Sequence, residues 1–207
     1  MERDLRLSRG IRGSIAFGEE IRIELVRKSI HLMIGIVPTL ASVNLTLTIG
    51  LLAFGTLAYA ASESLRMGGI EVPLVARVTE LAARRRDSGK FVMGPVTLGL
   101  GAMLSLLLYP NPAAAIAIYA LAFGDGLSSL VGKILGTIRL PFTGGKSLEG
   151  SLTCFLAVFV ATWSVSRRFT PSLAIAVFAT LIEAMPLKDL DNIVLPVLAG
   201  ALAWLIL

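Results

Sequence analysis

Apolar and polar positions fall along this chain in long blocks rather than in short periods. After a polar opening through residue 28, apolar windows run over 29–43, 45–64, 92–109, 112–132, 150–166, 171–187 and 192–207. Windows of this length predict helices with apolar material on every side, the pattern of membrane spans. Several are shorter than the roughly 20 residues that a hydrocarbon layer of about 30 Å requires. The first can borrow residues 23–28. The expected fold class is all-α, a polytopic membrane protein of about seven transmembrane helices. A basic, interfacial segment over 1–28 precedes a single transmembrane domain over 29–207.

Composition points the same way. Only 16% of residues are charged, where a soluble domain carries about 25%. Disorder needs the opposite balance of charge and hydrophobicity. The net charge of +5 therefore reads as topology and calls for no nucleic acid partner. Of 19 Lys and Arg, all but Arg167 and Arg168 lie in 1–28, in the connections 65–91 and 133–149, or at Lys188. By the positive-inside rule that face and the N-terminus are cytoplasmic. An integral, multi-pass location follows, in the cytoplasmic membrane where the host is a prokaryote.

The long connections share this face. Ile11, Ile15 and Phe17 offer an interfacial apolar face within the first segment. Val72, Leu74, Val75, Val78 and Leu81 recur at helical spacing before Arg84-Arg85-Arg86, which predicts a helix lying among anionic headgroups. The opening segment lacks the apolar core of a secretory leader. A single cysteine, Cys154, and a single histidine, His31, exclude an internal disulfide and any centre built on several of either.

Charged residues in or beside spans are costly and are functional candidates by default. Glu63, Asp125, Glu149, Glu183, Asp191, Asn192 and the Arg27-Lys28…His31 group bring polar chemistry to the inner ends of six of the seven windows. A transporter would concentrate it near the midplane. This distribution instead predicts a catalytic mouth at the cytoplasmic interface.

Four stretches carry the detail. In Glu24-Leu-Val-Arg27-Lys28-Ser-Ile-His31, Arg27 and His31 share a helical face. The basic pair either snorkels to headgroups or forms a phosphate site, a planar fork beside a point charge. In Phe123-Gly-Asp125-Gly-Leu-Ser-Ser129, glycines flank an intramembrane carboxylate. Asp125 is a Mg²⁺ ligand, a base for a hydroxyl, or a tie to another helix. The Gly132-Lys133…Gly136 run that follows has small-residue spacing for helix packing. Thr143-Gly-Gly145-Lys146-Ser147-Leu-Glu149-Gly150 lacks the first glycine of a P-loop, leucine standing at 140 and proline at 141. A glycine pair, a cation and a capping serine before a helix N-terminus can still bind an anion, or simply cap the helix. In Glu183…Pro186…Asp191-Asn192, the acids are either helix caps or oxygen ligands suited to Mg²⁺.

The ordered set E-x-x-R-K-x-x-H (24–31), F-G-D-G-x-S-S-x-x-G-K-x-x-G (123–136), G-K-S-x-E-G (145–150) and E-x-x-P…D-N (183–192) resembles the dolichol kinase, phytol kinase and CTP-dependent diacylglycerol kinase family. That resemblance implies a lipid kinase moving the terminal phosphoryl of CTP to the hydroxyl of a membrane alcohol, such as a polyprenol, phytol-like isoprenoid or diacylglycerol. It implies functional weight for Arg27, Lys28, Asp125 and Gly132, and a place in the motifs for His31, Lys146, Glu149 and Asn192. Arg27, Lys28, His31, Asp125 and Lys146 are the expected catalytic group. Arg27, Lys28, Gly132, Lys133, Gly145, Lys146, Ser147, Glu149 and Asn192 are expected around the nucleotide, with Mg²⁺ on Asp125, Glu183 and Asp191.

Phosphatidate cytidylyltransferases also resemble residues 125–150, but their C-terminal Gly-Gly-x-x-D-R-x-D run is absent here. Cytidylyl transfer and a small transporter remain the two competing functions.

Overall fold

The computed structural model describes residues 2–70, 72–83, 87 and 89–207, with side chains from residue 18 onward except that of Leu74. The side chains of Ile11, Ile15 and Phe17, that of Leu74, and the Arg84-Arg85-Arg86 run lie outside the described residues. Among the described residues every regular element is helical, save one isolated antiparallel bridge between Arg139 and Ser147. The all-α expectation holds.

The apolar windows become helices, though not one window to one helix. The first is divided: α1 (Glu2–Ile34) ends at Gly35, and the short α2 (Val37–Val43) starts with Pro38 in its first turn. Proline fits there because its missing N–H has no intrahelical partner to lose. Asn44 is extended (φ −154°) and caps α3 (Leu45–Met67) by accepting the Leu47 N–H at 2.9 Å. Next come α4 (Pro73–Ala82) and α5 (Gly94–Leu108). The window 112–132 runs through α6 (Ala113–Tyr119), a six-residue π-helix (Ala120–Asp125) and α7 (Gly126–Ile134). The chain closes with α8 (Leu148–Ser166), α9 (Phe169–Glu183), a 3₁₀ turn (Lys188–Leu190) and α10 (Asp191–Ile206).

Among the described residues four helical stretches are long and apolar enough to cross a membrane: Leu45–Met67, Ala113–Ile134, Leu148–Ser166 and Lys188–Ile206. At 15 residues each, α5 and α9 reach only about 22 Å. They fall short of a full bilayer core.

The stretch 113–134 is the axle of the bundle, with 67% of its most apolar window buried, against 6% for α3. Around it pack α1, α5, α8, α9 and α10. Lipid tails are as apolar as leucine, so membrane helices associate through close van der Waals fit, and small residues permit it. Ala114, Ala117, Ala120, Ala176, Ala179, Ala199 and Ala203 supply that fit here, with Ile116, Ile175 and Leu195 filling the space between them. In contrast α3 turns Leu51, Phe54 and Leu57 outward.

One contact shows how sequence sets geometry near the polar end. Pro196 sits inside α10 and has no N–H to offer the carbonyl of Asn192, four residues earlier. That carbonyl lies against Gly101 of α5, where any Cβ would collide with it. A glycine on one helix thus accommodates the kink-prone residue of another, and Asn192 is held beside α5.

Glu63 belongs to a separate clamp. It is fully buried, takes both Arg66 nitrogens at 2.7 Å, and accepts the Val92 N–H at 2.8 Å. Arg66 also donates to the Lys90 carbonyl at 3.0 Å, and Tyr59 to that of Val92 at 3.1 Å. The acid thus ties residues 90–92 to α3 rather than serving the polar cluster. Glu63→Gln is expected to weaken two charge-assisted bonds, destabilising the protein by about 1.5–3 kcal/mol. Faster hydrogen exchange at the Val92 amide, with the rest of the bundle unchanged, is the measurement that checks it.

Candidate active site

Four residues from three separate elements meet in a buried ionic cluster: Lys28, His31, Asp125 and Asn192, each at most 4% exposed. Lys28 Nζ donates to Asp125 Oδ2 at 2.5 Å. His31 Nε2 lies 3.3 Å from the same oxygen and 3.0 Å from Asn192 Oδ1. Its Nδ1 lies 3.1 Å from the Arg27 carbonyl. Every neighbour of the ring is an acceptor, so the imidazole serves this cluster as a donor. The other carboxylate oxygen, Oδ1, accepts from Ser129 Oγ at 3.3 Å.

The local sequence explains why Asp125 points here. A π-helix carries an extra residue in its wide turn, and such turns concentrate at functional sites. The turn Ala120–Asp125 ends on the acid itself. Lys28 and His31, three apart on α1, then face it together. Asn192 is fixed from both sides: its amide donates to Thr97 Oγ1 at 2.9 Å, and its backbone N–H to Asp191 Oδ1 at 2.9 Å.

Beside the cluster opens a cavity of about 560 Å³. Lys133, Arg139, Lys146 and Lys188 reach its wall, as do Glu24, Glu183 and Asp191. Lys146 Nζ pairs with Glu183 Oε1 at 3.1 Å and also donates to the Glu183 carbonyl. Ser128 Oγ donates to Glu183 Oε1 at 3.3 Å, while Glu183 Oε2 is buried with no hydrogen-bond partner. Ser151 Oγ is orphaned in the same way. Buried orphans of this kind are uncommon and call for a ligand, ion or water.

The loop over this cavity is a short hairpin. Leu140 N–H donates to the Lys146 carbonyl and Leu148 N–H to that of Ile138, both at 2.9 Å. Arg139 Nη1 donates to the Gly145 carbonyl at 2.8 Å. Gly144 and Gly145 adopt φ of +72° and +98°, a region that side chains strongly disfavour. The loop then enters α8 through Ser147, whose Oγ accepts the Gly150 N–H at 3.1 Å. A Cβ on Gly132 would come within 3.0 Å of that Oγ, and one on Gly150 within 2.8 Å of the Ser128 carbonyl. Gly132 and Gly150 let α7 and the start of α8 touch, whereas Gly136, the other member of the small-residue spacing, lies beyond the end of α7.

Most of the expected site residues converge, but not all at one point. Lys28, His31, Asp125 and Asn192 form the cluster, while Gly132, Lys133, Gly145, Lys146, Ser147, Glu183 and Asp191 line the cavity. Lys133 pairs with Glu20 at 3.5 Å. Glu149 lies off the wall, accepting the N–H groups of Thr137 (2.9 Å) and Ile138 (3.2 Å) and the Thr137 hydroxyl. It holds the hairpin's base. Arg27 is also off the wall, 3.5 Å from Glu24, and lines a separate groove. Sequence reasoning did not reach Thr97, Ser128 as a link to Glu183, or the orphaned Ser151. Only the adjacent serines after Asp125 gave a signal for any of these.

Among the described residues no three His, Cys, Asp or Glu side chains gather closely enough to hold a metal unaided. Mg²⁺ ordinarily takes one or two carboxylates and fills its shell with phosphate oxygens and water. Glu183 and Asp191 on the cavity wall, the former with a free buried oxygen, fit that mode.

An all-helical bundle with a buried acid–cation cluster beside a cation-lined cavity is the class these features define. Known proteins narrow it further. The chain is 24% identical over 158 residues to a probable phytol kinase 1, chloroplastic, of Glycine max, covering 68% of this chain and 52% of that one. To the chloroplastic farnesol kinase of Arabidopsis thaliana it is 28% identical over 141 residues, 60% of this chain and 46% of the relative. To a phytol kinase of Synechocystis sp. it is 35% identical over 100 residues, 44% and 43% of the two chains. The chain thus spans about half the length of the curated relatives it matches. No family model matches it, and no solved structure matches it. The relatives are isoprenoid lipid kinases, in agreement with the resemblance carried by the four motifs.

Proposed function

We propose that this chain is a membrane lipid-alcohol kinase that phosphorylates an isoprenoid alcohol from a nucleoside triphosphate, with CTP as the donor. The observation that carries the reading is the junction of a buried Lys28–Asp125–His31 cluster with a cavity lined by four cations. Phosphoryl transfer needs charge held around the phosphates and two reactants held in line, and little covalent chemistry from the protein.

Lys146, Lys133, Arg139 and Lys188 would hold the triphosphate, with the start of α8 offering backbone N–H groups to an anion. The alcohol oxygen attacks the terminal phosphorus, and the bond from that phosphorus to the bridging oxygen of the leaving diphosphate breaks. Asp125 takes the hydroxyl proton, and Lys28 and His31 keep the carboxylate oriented. Glu183 and Asp191 are the residues that would hold Mg²⁺, which would supply charge neutralisation of the triphosphate. The lipid tail remains in the bilayer.

The deciding assay presents the protein in lipid with each nucleoside triphosphate and a panel of polyprenol, phytol, farnesol and diacylglycerol, with products read by mass. CDP and a lipid monophosphate support the kinase. Pyrophosphate with a cytidylylated lipid establishes the nucleotidyltransferase instead, and solute movement without nucleotide consumption establishes a transporter. In the same assay Lys146→Met should raise the KM for nucleotide about tenfold or more, equivalent to about 1.4 kcal/mol of binding. Lys146→Arg should retain most of it. An unchanged KM in the methionine variant would remove Lys146 from the phosphate site.

A further inference from the structure

Arg27 and His31 face away from the cation-lined cavity onto a second, smaller one, and its character is different. It lies between α1, α4 and α5, with Ile30, Val78, Pro95 and Leu98 on its walls. The enclosed space is about 40 Å³. On this measure a single water needs about 10–15 Å³. The space therefore holds a small polar head and not a chain. Thr79 lies at its side: the residue is 5% exposed, and its hydroxyl has no hydrogen-bond partner. The nearby Tyr59 phenol gives its hydrogen to the Val92 carbonyl. A buried hydroxyl left unpaired costs about 1–3 kcal/mol, so this one is set for a ligand that can pair with it.

The mouth of the groove is apolar and exposed. Val78 and Met93 stand at it, 43% and 46% exposed. Leu65 and Met67 at the end of α3, like its outward-facing Leu57 and Phe54, are exposed as well. The groove thus opens on the same apolar surface that a membrane helix presents to lipid.

Resting on the kinase reading above, we infer that this groove receives the alcohol substrate head-first from the bilayer. Its hydroxyl is seated at Thr79, beside the His31 ring, while its hydrocarbon tail leaves between Val78 and Met93. The nucleotide then occupies the opposite side of the Lys28–Asp125–His31 cluster, so the two reactants approach one acid from two directions. An in-line displacement further requires the hydroxyl oxygen, the terminal phosphorus and the leaving oxygen to line up, so the seated hydroxyl must advance past His31 to meet the phosphate at Asp125. Thr79 pairs with the hydroxyl, and the His31 ring forms the wall behind it. A space this small between Val78, Pro95 and Leu98 takes the lone hydroxyl of a single-chain alcohol more readily than the glycerol backbone of a diacylglycerol.

The test uses the full chain in lipid nanodiscs and a farnesol analogue carrying a diazirine near its hydroxyl, without nucleotide. Photolabelling should fall on α4 and α5, around Val78 and Leu98, and be displaced by unlabelled farnesol but not by diacylglycerol. Val78→Trp, a change at an exposed position, should reduce it about tenfold, and Thr79→Val severalfold. Competed labelling on α8 or α9, labelling spread evenly over the lipid-facing helices, or labelling unaffected by both variants would overturn the inference. Because this readout needs no turnover, it separates the two claims. Labelling as expected with no phosphoryl transfer sinks the kinase reading and keeps the groove; phosphoryl transfer with labelling elsewhere does the reverse.

Discussion

On the kinase reading, Asp125→Asn is expected to lower lipid phosphorylation by about 10²–10⁴-fold, the range for losing a positioned general base, with a lowered melting temperature as well because Lys28 loses its counter-charge. The amide keeps the shape of the carboxylate, and its one oxygen can still accept from Lys28, the partner at 2.5 Å, while its NH2 group cannot accept from Ser129. It cannot take a proton from an attacking alcohol. Nucleotide binding should survive, since Asp125 stands behind the cavity wall rather than on it. Initial rates measured by lipid-phosphate mass, beside a thermal melt of the same sample, give the result directly. Turnover near the wild-type rate would remove Asp125 from the chemistry and leave it a structural tie between helices.

Lys28→Met should be the most destabilising single change in the bundle. Both partners of the pair are buried, with side chains 4% and 3% exposed. Removing one partner strands a charge, a loss of about 3–5 kcal/mol. Replacing a whole buried pair by apolar residues is often neutral or stabilising. The double variant Lys28→Met/Asp125→Leu should therefore recover most of the lost melting temperature. Its catalytic rate should not recover. Stability restored without activity is the signature of a pair retained for chemistry. A methionine variant that melts like the wild type would show instead that α1 is anchored to the central helix by its other contacts.

The helical class was legible because apolar blocks this long leave few alternatives, and every window did become helix. Span lengths were less so. Only Gly35 and Pro38 mark the break after Ile34 within 29–43, and α9 stops at Glu183, four residues before its apolar window ends. The acids in the spans were readable as candidates on cost alone, and Asp125 and Glu183 do lie at the polar end. Cost could not say what each acid pairs with. Glu63 looked equal to Asp125 in sequence, yet it serves a loop through Arg66 and Val92. Glu149 sits in a motif beside Lys146, yet its oxygen faces the backbone of Thr137. The difference lies in contacts between residues 11 to 97 positions apart, which no local pattern encodes.

The π-helix over Ala120–Asp125 has a consequence beyond the aim of one carboxylate. Each residue of an ordinary helix advances the side chains by about 100°. One extra residue in a turn therefore rotates everything after it by roughly that angle relative to everything before. Upstream, Ile116 and Ala117 need a phase that buries them against α10. Downstream, Ser128 and Gly132 need another, toward α8. A single uninterrupted helix could satisfy only one of these demands. The inserted residue acts as a phase shifter, letting one rod answer to two sets of neighbours with the acid at the changeover. Angular register along this helix is thus as much a part of the site as the residues themselves.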